Sequence, residues 1–202
     1  MVKRTSTKEL IAQSLMELGE TRPIDKITVQ DIADNCDVSK RTFYYHFADK
    51  YALIAWIYRE EVERVLATAD DNWTYYDFQI ANIHAFLKNA EYYINAVNNT
   101  SGGDSFIKTM CVQTREAFEA RFAAQGEDPD ERTWFAIDYA IHSAIIAIID
   151  WYRDGMRLSP ETLAKWIAED FPQKAKEALF GPVAPNASKR ECLHPDNCSM
   201  TH

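Results

Sequence analysis

Residues 39–47 read Ser-Lys-Arg-Thr-Phe-Tyr-Tyr-His-Phe, a run in which cations, hydroxyls and aromatic rings alternate within nine positions. At about 100° per residue of helix, Phe43 and Phe47 fall on one face, while Arg41, Thr42 and Tyr45 fall on the other. The polar set suits nucleic-acid chemistry. The Arg41 fork matches the O6/N7 edge of guanine, and Thr42 and Tyr45 can reach base edges or a thymine methyl. Thr28, Ser39, Lys40, Tyr44, His46 and Lys50 carry donors suited to phosphate oxygens, which fix register without reading sequence.

Two short elements must position these groups. Thr28 is a good N-cap with Asp31 three residues on, and Ile27 and Ile32 can form a hydrophobic staple. Cys36-Asp37-Val38 breaks that helix, Ser39 caps the next, and Val38 and Phe43 form a second staple. Thr28 and Ser39 therefore have a structural duty whatever else they touch. Two helices joined by a tight turn, the second anchored by phenylalanines, make a unit that enters a DNA major groove.

Residues 6–60 resemble the DNA-binding head of the TetR family of bacterial one-component regulators. The resemblance rests on Ile27-Thr28-Val29, Ile32-Ala33, Val38-Ser39-Lys40, Thr42-Phe43-Tyr44-Tyr45-His46-Phe47, Lys50 and Leu53. It implies a homodimer on a palindromic double-stranded operator, an effector site in the body, and a role as a repressor released by a small organic ligand. Gln30 corresponds to a family position that touches a base. Arg41 stands where the family often has glycine, which changes the expected operator sequence and not the mode of docking. The short body and the Trp56-Ile57 pair look like the branch with the dihydroxyacetone kinase operon activator. That branch implies activation with a protein partner as the alternative.

Composition sets outer bounds. With 202 residues the chain can bury a core in one large or two small domains. Glycine and proline are sparse and no run alternates at period two, so an all-α fold is expected. The net charge of −9 divides unevenly. Residues 1–59 hold nine Lys/Arg and eight Asp/Glu, whereas residues 60–202 hold thirteen and twenty-three. A near-neutral head above an acidic body favours head-first approach to phosphate. No signal peptide is read, and Asp138, His142 and Asp150 argue against a span in the apolar stretch 134–152, so a cytoplasmic location is expected with no membrane partner. The four cysteines lack framework spacing, which suits a reducing compartment.

Caps and stops predict the remaining elements. A Ser6-x-x-Glu9 capping box opens a helix over 7–18 whose inner stripe is Leu10, Ile11, Ser14, Leu15 and Leu18, with Gly19 as its end. Asp49 caps a fourth helix to about residue 69. Helices are expected over 75–97, within 104–125, from Asp130 to Asp154, and from Ser159-Pro160 to Leu179 with a break at Pro172. The resulting division is a helix-turn-helix domain over 1–48, a connecting helix over 49–70, a helical regulatory and dimerisation domain over 71–180, and a flexible tail over 181–202.

In the body, Ala136, Ala140, Ser143, Ala144 and Ala147 recur at helical spacing and predict a close helix–helix dimer interface. His84, Phe106, Met110, Tyr139 and His142 are the expected ligand-pocket residues, chosen among many aromatic positions that are mostly core. Cys192, His194, Cys198 and His202 could close a small zinc site, although their spacing matches no common finger. No phosphate loop, nucleophile elbow or paired metal-ligating histidines appear. Neither catalytic residues nor a cofactor nor a metal is expected.

Overall fold

A computed structural model describes residues 5–70, 72–102 and 105–180. Among them lie ten α-helices, a 3-10 turn at Ile24–Lys26 and no strand. The tail 181–202 and its Cys/His set lie outside the described residues.

The first helix, α1 (Thr7–Thr21), opens with the expected capping box, Ser6 N donating to Glu9 Oε2 at 2.6 Å and Glu9 N to Ser6 Oγ at 3.2 Å. Ile11, Ser14 and Leu15 are buried, but Leu10 is 40% exposed, so the inner stripe is narrower than expected. The Ser14 hydroxyl donates to the Ile32 carbonyl at 2.7 Å and stitches α1 to the next helix. Gly19 does not end α1. It is buried inside the last turn, where an added Cβ would stand 2.9 Å from the Tyr92 ring. Glycine here permits close approach of another helix, so the stop read from its presence falls two residues early.

After a 3-10 turn (Ile24–Lys26), α2 (Val29–Asn35) and α3 (Lys40–His46) form the helix-turn-helix. Both predicted caps are made: Thr28 Oγ1 accepts from Asp31 N at 3.1 Å and Ser39 Oγ from Thr42 N at 3.0 Å. Asp37 turns the chain between them with φ 52°, a conformation that Asp tolerates better than most residues. The long helix α4 (Lys50–Leu66) then serves two cores. Leu53, Ile54 and Ile57 pack with Phe43, Phe47 and Ile32 under the head, while Val65 packs with the body aromatics.

The expected helix over 75–97 is two helices, α5 (Tyr75–Lys88) and α6 (Ala90–Asn98). Asn89 leaves the helical region at φ −128°, ψ 30°, without glycine or proline. The bend sends α5 against α9 and α6 against α1, two surfaces that a straight rod does not reach together. A single helix, α7 (Phe106–Gln125), fills the next region and ends on Gly126 in the left-handed conformation. The last three helices are α8 (Glu131–Arg153), α9 (Pro160–Asp170) and α10 (Gln173–Phe180), with the break at Pro172 as read from the sequence.

Under the body, Tyr75, Phe78, Phe118, Phe122, Phe171 and Phe180 form an aromatic core. Tyr75 stacks on Phe171 with centroids 3.8 Å apart. The head core is continuous with a second group, Tyr92, Tyr93, Phe106 and Ile149, so apolar packing joins head to body. Cys36 and Cys111 are half-buried free thiols, and burial pushes both up in pKa, which leaves little reactive thiolate.

Candidate nucleic-acid interface and effector cavity

The outer surface of α3 follows from two buried anchors. Phe43 and Phe47 are 0% and 5% exposed and tilt together at 5.9 Å, with Trp56 of α4 closing on Phe47 at 5.6 Å. Helical rotation then turns Lys40, Arg41, Tyr44 and Tyr45 to solvent. Tyr45 is 83% exposed and Tyr44 56%, unusual for rings in a folded chain and open to a partner. His46 is half-buried, its ring edge-on to Tyr45 at 4.9 Å. Together these groups make one outward surface of cations, hydroxyls and rings.

Other expected contacts are tied up locally. The Thr42 hydroxyl lies 2.8 Å from Ser39 Oγ, and Gln30 Nε2 donates to Asp34 at 2.5 Å, although Gln30 itself is exposed. Thr28 donates to Asp31 from its hydroxyl at 2.7 Å and its backbone N–H at 2.8 Å. These bonds, with the Arg22 guanidinium at 3.2 Å, hold the Asp31 carboxyl down at about 2. The carboxylate thus closes a box with Thr28 at the start of α2.

Lys50 requires a correction. Its ammonium donates to the carbonyl oxygens of Ile24, Asp25 and Ile27 at 2.8, 3.0 and 2.9 Å. An ammonium has three donors, and all three are spent inside the protein. Burial pushes its pKa down, yet the three carbonyls retain it as a tie between α4 and the 3-10 turn. Its expected phosphate contact has no donor left in this conformation.

The body places the expected residues on two different surfaces. Phe135, Tyr139, His142 and Ser143 are exposed along one outward strip of α8, with Phe135 at 73% and Tyr139 at 70%. Trp166 of α9 adds a ring that is 52% exposed. Ala136, Ala140 and Ala147 are half-buried beside this strip, whereas Ala144 is buried and faces the interior. By length and composition α8 is apolar enough to cross a membrane. Its Asp138 nevertheless pairs with Arg115 of α7, whose guanidinium also stacks 4.3 Å from the Trp134 centroid.

Between α4 and α8 lie two adjoining chambers of about 50 Å³ and about 40 Å³, each half open to solvent. Tyr58, Asn82, Ile145 and Ile148 line both. Of the expected pocket residues only Met110 lines either chamber. His84, Tyr139 and His142 face solvent, and Phe106 is sealed in the core between Tyr58 and Tyr93, 5.9 and 5.8 Å from their rings. The reason is rotational. On α8 the buried stripe is Ile137, Ile141, Ala144 and Ile148, and Tyr139 and His142 lie on the opposite side with Ser143 and Asp150. Tyr58, Glu61 and Val62, spaced i, i+3, i+4 on α4, were a legible signal that was missed.

One side chain of α6 ties the body to the head. Asn95 accepts from Ile24 N at 3.0 Å and donates to the Arg22 carbonyl at 2.6 Å and to that of Gly19, and Tyr93, two residues before it on the same helix, lines the first chamber. Nothing in the sequence marks this asparagine, because its three partners lie more than seventy residues away.

Residues 5–57 match the family model of bacterial regulatory proteins, tetR family, and residues 73–177 match that of a transcriptional regulator C-terminal region. The dhaKLM operon transcriptional activator DhaS of Lactococcus lactis subsp. lactis (strain IL1403) is 28% identical over 79 residues, 39% of this chain and 41% of that protein. The uncharacterized HTH-type transcriptional regulator YxbF of Bacillus subtilis (strain 168) is 23% identical over 194 residues, 92% of this chain and 50% of its own length. The chain thus spans half or less of the length of these curated relatives. Among solved structures, DhaS superposes with a TM-score of 0.58 at 17% identity, covering 81% of this chain and 92% of that one. NalD, the secondary repressor of the MexAB-OprM multidrug efflux pump in Pseudomonas aeruginosa, gives 0.52 at 18% identity, covering 82% and 94%. At such identities these likenesses speak for the fold.

Proposed function

We propose that this chain, which belongs to the TetR family of DNA-binding transcriptional regulators, acts as a homodimer on a palindromic operator and is a repressor released by a small organic effector. The observation that carries the reading is the outward surface of α3, where Lys40, Arg41, Tyr44 and Tyr45 stand over the buried Phe43 and Phe47. Arg41, Tyr45 and Thr42 read base edges, with Gln30 reaching a flanking base. Lys40, Tyr44 and His46, with the cap residues Thr28 and Ser39, hold phosphates.

One recognition helix covers too few base pairs to be selective, and two about 34–36 Å apart read an inverted repeat on one side of the duplex. The uncovered strip of Phe135, Tyr139, His142 and Ser143, with Trp166 of α9, is the surface that the second subunit covers. The rings of Phe135, Tyr139 and Trp166 on an otherwise acidic body are costly to leave in water. The half-buried Ala136, Ala140 and Ala147 flank that contact and let the partner helix approach.

Control runs from the paired chambers through α4 and α6. An effector favoured by one head geometry over the other shifts the equilibrium between them. Residues 1–48 form the head, 49–70 the connection and 71–180 the regulatory body. The partial match to DhaS favours a second reading, activation in concert with a protein partner. Footprinting on DNA upstream of the chain's own gene tests the main proposal. A protected inverted repeat, with occupancy falling steeply as salt rises, is the expected result. Protection without two-fold symmetry removes the dimer, and raised transcription on binding favours the second reading.

A further inference from the structure

The chambers between α4 and α8 have an unbalanced electrostatic lining. Among the described residues that line them there is one carboxylate, Glu61, and no lysine, arginine or histidine. A buried charge without a partner is costly, so an anionic ligand finds nothing in these walls to offset its desolvation. A cation finds three things. Glu61, whose side chain is only 19% exposed, offers a carboxylate fixed at the wall. Asn82 lines both chambers and makes no side-chain hydrogen bond among the described residues, which leaves its amide oxygen free to accept. The rings of Tyr58, Phe86 and Tyr93 supply electron-rich faces, with Phe86 and Tyr93 stacked at 5.8 Å and 9°.

We propose that this cavity binds a small aromatic ammonium, with Glu61 as counter-ion and Asn82 as the second polar contact. The proposal rests on the effector-site reading above and supplies the chemical class of the ligand. At present Glu61 pairs with Arg64, one turn along α4, whose side chain is 64% exposed. An incoming ammonium replaces a guanidinium that already stands largely in water, so the exchange releases Arg64 at little cost. Met110, Ile145 and Ile149 give the apolar floor for a ring. The recesses hold about 50 and about 40 Å³ and stand half open to solvent, so a single ring with a short side arm seats with part of its surface in water. Buried Tyr93 keeps its phenol protonated, with Glu61 as a contributing charge, and so adds no second anion to the wall.

The test is calorimetric titration of the full chain with three near-isosteric probes: 2-phenylethylammonium, 2-phenylethanol and phenylacetate. The amine is expected to bind about tenfold or more tightly than the alcohol, in line with a charge-assisted hydrogen bond, and phenylacetate most weakly. Glu61→Gln brings the amine down to the level of the alcohol while leaving the alcohol unchanged. Arg64→Ala, which frees the carboxylate, tightens the amine several-fold and guards against reading a misfolded Glu61 variant as a lost site. Tightest binding by phenylacetate, an amine affinity unmoved by Glu61→Gln, or no binding by any of the three overturns the proposal. Gel shifts with the same probes separate this claim from the regulatory one. Amine binding without release of DNA supports the ligand class and removes only the control reading.

Discussion

Asn95 accepts a hydrogen bond from the backbone N–H of Ile24 at 3.0 Å, so one side chain on the regulatory body holds the turn that leads into the helix-turn-helix. The same amide also donates to the carbonyls of Arg22 and Gly19, and Tyr93, two residues earlier on α6, lines the cavity. Asn95→Ala leaves an N–H and two carbonyls without these partners at a half-buried site. It is expected to cost about 1–3 kcal/mol in thermal unfolding and to weaken ligand-driven release of DNA more than ligand binding itself. An unchanged melting curve together with unchanged release removes the clamp.

Lys50 distinguishes structure from recognition. With its three donors on Ile24, Asp25 and Ile27, Lys50→Ala is expected to destabilise the head by about 2 kcal/mol. The salt dependence of DNA binding should keep its slope. A slope flattened by about one unit, with stability retained, restores Lys50 as a phosphate contact.

Arg41 and Lys40 are adjacent and exposed, and the proposed function gives them different roles. Arg41→Ala is expected to cost about 1–3 kcal/mol at one operator position and to relax the preference there. Lys40→Ala weakens all sequences alike and lowers the salt slope. Binding measured across a panel of single-base operator variants checks both, and a uniform loss with Arg41→Ala defeats its base-reading role.

On α8 the decisive comparison is between an outward ring and an inward methyl. Tyr139→Asp places a charge on the exposed strip and is expected to yield a folded monomer by light scattering. Ala144→Phe instead overfills the wall of the second chamber, at about 1–3 kcal/mol of stability. A dimer that persists with Tyr139→Asp, and with Phe135→Asp, places the interface elsewhere.

Asp31 gives a pH signature. Its folded pKa, held at about 2 by Thr28 and Arg22, lies below the ordinary carboxylate value. Its contribution to head stability is therefore complete above the ordinary range and is lost as pH falls toward 2. Carbon-detected NMR titration of the side chain is expected to give a midpoint near that value, and Asp31→Asn should remove this part of the acid response. A midpoint close to 4 disposes of the capping box as the cause.

The sequence alone determined what depends on near neighbours. Capping boxes at Ser6/Glu9 and Thr28/Asp31, the Ser39 cap, the Phe43/Phe47 anchor and the break at Pro172 involve residues three or four apart, and all are present. Tertiary structure decided which side of each helix is covered and where the long-range polar bonds go. It bent the chain at Asn89 because α5 and α6 pack on different partners. It turned Tyr139 and His142 outward, opposite the buried stripe of Ile137, Ile141, Ala144 and Ile148 on α8. It set Lys50 on carbonyls of the 3-10 turn and Asn95 on the end of α1. Local spacing specifies a helix and its ends; only the closed core selects the arc of that helix which faces inward, because burial is shared among elements distant in the chain.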